Sequence, residues 1–92
     1  MLVGLLTVEI FIPEANSLKS KRFVVSSLKD RLRNKFNVSV AEDANNLWQR
    51  TIIAVASVSN KKSHLQDTMQ KIRDMIMQEC DFEVIDHSIE IM

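Results

Sequence analysis

The order in which two hydrophobic periods follow one another constrains the fold of this chain most. From Leu2 to Ile12 every even position except Gly4 is apolar, which is the period-two pattern of a strand with a buried face, and Pro13 ends the run. Ser17 is a suitable N-cap for a helix that stops near residue 37. The apolar positions of this helix fall within an arc of about 120° and are Leu18, Val24, Val25, Leu28, Leu32 and Phe36. We therefore predict a first strand followed by a long first helix.

The second half of the chain repeats the alternation. Residues 38–40 begin a short second strand, residues 42–46 form a turn, and the β-branched run 47–59 predicts a long third strand. Ser63 with Gln66 matches the capping box at the start of a second helix, which runs to about residue 80. The apolar positions of that helix are Leu65, Met69, Ile72, Ile76 and Cys80. The last strand contains Phe82, Val84, Ile85, Ile89 and Ile91.

The resulting order, βαββαβ, predicts an α+β fold. With right-handed crossovers it gives a four-stranded antiparallel sheet of strand order 4-1-3-2 with both helices on one face, the ferredoxin-like arrangement. The chain has 92 residues with one Gly and one Pro. This composition leaves room for a single domain, residues 1–92, and little room for long loops.

The face of the sheet that the helices leave uncovered also looks apolar in the sequence. Odd positions of strand one include Val3, Leu5 and Phe11, and strand three offers Ile53 and Val55 at one parity. A soluble monomer rarely exposes such a surface. We therefore predict a homodimer whose interface contains these five residues.

Charge is segregated along the chain although the net charge is zero. Residues 17–35 carry seven basic side chains and one acid, Asp30, whereas residues 64–92 carry seven acids and two basic side chains. Such a field can attract a polyanion, because at physiological salt it is the charges within about 8 Å that matter. The residues we predict to contact nucleic acid are Lys19, Lys21, Arg22, Lys29, Arg33 and Arg50.

One edge of the first helix concentrates this charge. On a helical wheel the edge spans about 80° and is about 20 Å long, and it contains Lys19, Arg22, Ser26, Lys29 and Arg33. It could follow a phosphate backbone. The alternative interpretation is a solvated helix face that serves solubility, although such faces usually intersperse both signs.

Two aromatic residues also leave alternatives open. Phe23 projects away from the apolar arc, where it could stack on a base, dock on a protein or be a tolerated surface hydrophobe. Trp48 and Arg50 share one face of an extended third strand. Core packing is the favoured role for Trp48, with base stacking as the alternative. Arg50 could bind phosphate or form an internal salt bridge with Glu42.

The sequence contains no recognisable catalytic or metal-binding pattern. One glycine cannot form a Gly-rich phosphate loop, and no spacing indicates a Ser-His-Asp or Cys-His pair. His64, His87 and Cys80 lie in separate elements and are too sparse for a zinc site. An RNA-recognition motif needs spaced aromatics on strand three, where only Trp48 is found. We expect no enzymatic activity, no cofactor and no metal.

The sequence also bears on the cellular compartment. Cys80 is the single cysteine, so no internal disulfide can form and secretion is not favoured. The apolar start lacks a cationic segment and a cleavage site, and Glu9 interrupts it well short of the roughly 20 residues that span a bilayer. We expect a cytoplasmic protein that does not enter the membrane.

Several segments resemble a known family. The pattern SLK-x-KR at residues 17–22, the basic helix, NVSVAE at residues 37–42 and WQR at residues 48–50 are similar to the YlxP-like proteins, small bacterial domains of unknown function. The resemblance covers nearly the whole chain. It implies a ferredoxin-like fold and brings no catalytic residues.

The resemblance also implies a gene context. Genes of that family commonly lie beside those of a transcription elongation factor, a translation initiation factor and ribosome-binding factor A, which implies a role near ribosome assembly. We therefore predict a domain that binds ribosomal or pre-ribosomal RNA through its first helix. The alternative is a homodimeric protein-interaction or ligand-sensing module that uses the open sheet face.

Overall fold

A four-stranded antiparallel sheet forms the centre of the computed structural model, which describes residues 1–43 and 47–92. The elements are β1 (Leu2–Phe11), α1 (Leu18–Lys35), β2 (Ser39–Asp43), β3 (Arg50–Ser59), α2 (Lys62–Met77) and β4 (Glu83–Ile91). The strand order is β2-β3-β1-β4, and every neighbouring pair is antiparallel. This confirms the predicted ferredoxin-like α+β fold. Within the described part of the chain, no helix is long and apolar enough to cross a membrane.

Both helices pack on the same face of the sheet and share one core with it. The core joins the even positions of β1 to the apolar faces of α1 and α2. In β1 the buried side chains alternate with less buried ones along the whole strand, as the period-two pattern predicted. The buried residues that the helices supply are Val25, Leu28, Leu32, Leu65, Met69, Ile72 and Ile76.

The register of β3 places Ile53 and Val55 in this core. They pair with Val8 and Leu6 of β1, and both are 0% exposed. Residues that pair directly across two strands point to the same face of the sheet, so Ile53 and Val55 lie under the helices. Their predicted place on the uncovered face is wrong. Because β3 is apolar at both parities, only the pairing with β1 could decide which face each side chain takes.

Gly4 allows α2 to pack closely on β1. A Cβ atom built at this position would lie 3.0 Å from Cγ of Leu65 and 3.0 Å from Cγ of Met69. A Cβ atom here would crowd these two side chains, which would have to shift by a few tenths of an ångström to accommodate it. The single glycine of the chain therefore serves a close helix–strand contact rather than a turn.

The helix ends were predicted with mixed success. Ser17 caps α1, since its Oγ accepts a hydrogen bond of 3.1 Å from the Ser20 amide, which confirms the predicted N-cap. The capping box predicted at Ser63 is wrong, because α2 begins at Lys62 and its N-cap residue Lys61 makes no side-chain capping bond. Instead, the preceding turn is held by Ser59 Oγ, which accepts a bond of 3.1 Å from the Lys61 amide.

Other predicted boundaries differ as well, and β3 begins at Arg50 rather than at residue 47. The second helix ends at Met77, so Cys80 lies in the connection to β4 and is exposed. The turn predicted over 42–46 is replaced in part by β2, which extends to Asp43. The rest of that turn, residues 44–46, lies outside the described residues.

Candidate nucleic-acid interface

The outer edge of α1 presents the predicted row of cations. We call Lys19, Arg22, Ser26, Lys29 and Arg33 the basic stripe. Lys29 is half-buried and the other four are exposed. The stripe lies beside the buried face of α1, which holds the helix against the sheet and fixes the direction in which these side chains point. Its length, about 20 Å at 1.5 Å per residue, spans most of the helix.

Lys21 does not belong to this surface. It is 3% exposed, and its Nζ donates a hydrogen bond of 2.7 Å to the carbonyl oxygen of Leu47. Its predicted contact with nucleic acid is therefore wrong. Lys21 lies four residues before Val25 and so falls on the buried face of α1, a spacing that could have identified it from the sequence.

Cations in the C-terminal half of α1 contact other parts of the protein. Arg31 forms an ion pair with Glu79, which ties α1 to the segment that follows α2. The Arg33 guanidinium, at the end of the basic stripe, donates a bond of 3.2 Å to the Val40 carbonyl of β2. Lys35 lies over the ring of Phe36, 5.7 Å from its centroid. Arg31 is thus structural, and Arg33 is oriented by the edge strand while it remains exposed.

Arg50 lies apart from the basic stripe, on the face of the sheet that the helices leave uncovered. It pairs with Phe11 of β1. Glu42 pairs with the buried Ile53 and so lies on the helix side, where its Oε2 accepts a bond of 2.6 Å from the Thr51 hydroxyl. The alternative in which Arg50 forms a salt bridge with Glu42 is therefore wrong.

Trp48 is 54% exposed, so its predicted role in the core is wrong. It lies in the segment that leads into β3, which is held to the end of β1 by a bond of 2.7 Å from the Ile12 amide to the Gln49 carbonyl. A broad depression of about 940 Å³ opens there. We call it the Trp48 depression, and its lining includes Phe11, Pro13, Glu14, Ala15, Trp48 and Arg50.

A second concavity lies between the start of α1 and the connection from α2 to β4. This α1 groove has a volume of about 460 Å³, and its lining includes Ala15, Lys19, Phe23, Val24, Cys80 and Asp81. Phe23 is 76% exposed, which confirms that it projects away from the apolar arc. The two concavities share Glu14 and Ala15. The sequence did not reveal the α1 groove, because Cys80 and Asp81 reach it only through the tertiary fold.

The uncovered face of the sheet, which we call the open sheet face, carries the odd positions of β1 and their partners. Val3, Leu5 and Phe11 lie on it, as predicted. Its centre is acidic, because Glu9 pairs with Asp86, and Glu90 pairs with Leu5. A small depression of about 120 Å³ at this centre is lined by Thr7, Glu9, Ile52, Asp86, His87 and Ser88. In residues 1–43 and 47–92, no three His, Cys, Asp or Glu side chains gather as a metal site would require.

One end of the open sheet face is apolar. Val3 pairs with Val58 of β3, and its amide and carbonyl form reciprocal bonds of 2.9 and 2.8 Å with the carbonyl and amide of Met92. The three side chains therefore lie in one row across the sheet. Val58 is 60% and Met92 59% exposed. This row, with Leu5 and Ala56 next to it, forms what we call the apolar end.

Fold and surface together define a small α+β domain of the ferredoxin-like type with a basic first helix and an acidic open sheet. The chain belongs to the family described as a protein of unknown function, DUF503, whose model matches residues 3–89. It is similar to the uncharacterised protein YlxP of Bacillus subtilis strain 168, with 36% identity over 72 residues. That match covers 77% of this chain and 78% of the Bacillus protein.

Proposed function

We propose that this protein is a non-enzymatic domain that binds structured RNA through the basic stripe. The observation that carries the proposal is the position of four cations on one edge of α1, with Asp30 as the one acid of that helix. Phosphate groups are the ligands that such a row fits, since lysine and arginine contact a nucleic-acid backbone without regard to sequence. The acidic centre of the open sheet face would repel the same backbone, so binding falls to the helical side.

Ribosomal or pre-ribosomal RNA is the partner that we propose. The gene context implied by the family resemblance supports this choice, and the charge distribution is compatible with it. Since side chains cannot reach the bases through the deep, narrow major groove of an RNA helix, we expect recognition to depend on RNA shape rather than on a long sequence.

A salt titration tests this proposal. If four phosphates are neutralised, the logarithm of the association constant should fall with the logarithm of the salt concentration, with a slope near −3 for a single strand and a somewhat steeper slope for a paired region. A structured fragment of ribosomal RNA is a suitable probe. In parallel, the protein should sediment with ribosomal particles at low salt and leave them at high salt. A flat salt response would contradict binding through the basic stripe.

A second candidate function, self-association, is favoured by the apolar end. We propose that two copies meet there through a two-fold axis, since a row of exposed Val3, Val58 and Met92 is the kind of patch that homodimers bury. Each 100 Å² of apolar surface removed from water contributes roughly 2.5 kcal/mol before the costs of association, so a micromolar dimer is expected. Sedimentation as a monomer at high micromolar concentration would contradict it.

A further inference from the structure

The two most exposed aromatic side chains of this protein lie at the same end of the molecule. Phe23 is on the outer face of α1, and Trp48 precedes β3. The other three aromatic residues are buried or half-buried: Phe11, Phe36 and Phe82. A ligand that covers an exposed aromatic ring removes apolar surface from water. Two such rings at one end therefore mark a surface that can bind planar groups.

Each of these rings stands beside a concavity that also holds a cation. The α1 groove contains Phe23 with Lys19, and the Trp48 depression contains Trp48 with Arg50. The two concavities share Glu14 and Ala15 in their linings, so they are adjacent at the β1–α1 connection, and we call the two together the path. Lys19 belongs both to this path and to the basic stripe.

We propose that this end of the molecule binds unpaired nucleotides of the RNA whose paired region lies on the basic stripe, with one base against Phe23 and another against Trp48. The inference rests on the proposed function and adds the class of RNA, a stem joined to a single strand. A base exposes its π-face to a protein ring only when it is unpaired. The unpaired strand would thus extend the RNA interface from the basic stripe to Arg50.

The polar groups around the path suit this arrangement. Lys19 and Arg50 can each bind a phosphate of the unpaired strand. Glu14 and Asp81 also line it, and their carboxylates would repel phosphate. A carboxylate accepts hydrogen bonds, and the amino and imino groups of unpaired bases donate them. The cations thus favour the phosphates of the unpaired strand, and the carboxylates favour its bases.

The protein contains two intrinsic reporters for the test. Trp48 is its single tryptophan and there is no tyrosine, so the intrinsic fluorescence reports on the Trp48 depression alone. Cys80 is its single cysteine, is exposed and lines the α1 groove, so its rate of alkylation reports on that groove. The probes are a blunt RNA duplex and the same duplex with a single-stranded extension, compared at one salt concentration.

We expect the extension to raise affinity about a hundredfold, since each stacked base contributes about tenfold. The extended RNA should quench Trp48 fluorescence and slow Cys80 alkylation, and the blunt duplex should do neither. In anisotropy titrations, Phe23→Ala and Trp48→Ala should each remove about tenfold of the advantage of the extension while the blunt duplex binds as before. Gln66→Ala, at an exposed position in the first half of α2, is the control that should change nothing.

Three results would overturn the inference. Equal affinity for both RNAs, with both reporters silent, would refute the unpaired-nucleotide site and leave RNA binding by the basic stripe intact. If neither RNA binds, both the proposed function and the inference are refuted. Quenching of Trp48 by a nucleoside monophosphate at the concentration used for RNA would assign the depression to a free nucleotide instead.

Discussion

The outer edge of α1 and the open sheet face are two solvent-facing surfaces of opposite character on one small domain. The first carries Lys19, Arg22, Lys29 and Arg33, and the second has Glu9 and Asp86 at its centre. The domain measures 42 × 21 × 18 Å, so its smaller dimensions exceed two Debye lengths of about 8 Å at physiological salt. The two fields therefore act independently. A net charge of zero says little about what such a protein attracts, because each partner meets only one of the two surfaces.

The largest change in RNA affinity is expected when charge is removed from α1, and it tests whether the two surfaces act separately. Lys19→Gln, Arg22→Gln and Lys29→Gln combined should lower RNA affinity about a hundredfold at about 0.1 M salt and make the salt slope shallower by about 2. Glutamine has nearly the same helix propensity as lysine and arginine and keeps part of their aliphatic chain, so the helix should remain folded. Affinity and slope can be measured by fluorescence anisotropy over a range of salt concentrations.

A matched variant controls for total charge. Lys61→Gln, Lys62→Gln and Lys71→Gln remove the same number of charges from exposed positions at the start of α2 and along it. The salt slope of this variant should stay close to that of the unchanged protein. If both triple variants lose affinity equally, the attraction is a property of overall charge and the two surfaces are not distinct.

Lys21 should behave in the opposite way from Arg22, its neighbour on α1. Lys21→Met removes the ammonium that donates to the Leu47 carbonyl, and the loss of this hydrogen bond from a charged donor should lower the free energy of unfolding by about 1.5 to 3 kcal/mol. RNA affinity should not change. Urea unfolding measures the first quantity and anisotropy the second. Arg22→Met should weaken RNA binding and leave stability almost unchanged, and a reversal of these two outcomes would show that α1 is oriented differently.

A smaller effect is expected at the apolar end of the open sheet face. Val58→Lys would place a charge in the proposed dimer interface, and we expect it to weaken self-association about tenfold without unfolding the chain, since Val58 is exposed. Sedimentation at several protein concentrations checks this. Gln70→Lys, at an exposed position of α2, is the matched control. If the two variants associate equally well, any dimer uses another surface.

The smallest effect is expected from neutralising acids on the open sheet face. Asp86→Asn with Glu90→Gln should change RNA affinity by less than about twofold, because these carboxylates lie on the face of the sheet opposite α1 and salt screens exposed charges from RNA bound at the basic stripe. The measurement is the same anisotropy titration at physiological salt. A tenfold gain in affinity would instead place RNA on the sheet and would remove the distinction between the two surfaces.

Local patterns were sufficient for much of the fold and for part of the candidate site. The order βαββαβ, the Ser17 cap, the buried parity of β1 and the outward direction of Phe23 all follow from periodicity within one segment, which the backbone enforces wherever that segment packs. The row of cations on α1 follows for the same reason. These features needed no knowledge of a neighbouring element.

Other features depended on contacts between distant segments. Ile53 and Val55 are buried in the core because β3 pairs with β1 in one register, although the strand is apolar at both parities. Lys21 became internal because the Leu47 carbonyl lies within reach of its Nζ, and Trp48 stayed exposed although its side chain is apolar. For β3 and for Lys21 the deciding partner is distant in sequence. The sequence by itself therefore determined the secondary-structure elements and the basic stripe. Only the tertiary structure decided which face of β3 is buried and which aromatic rings lie beside cations. The reason is that burial is decided when separate elements pack against each other.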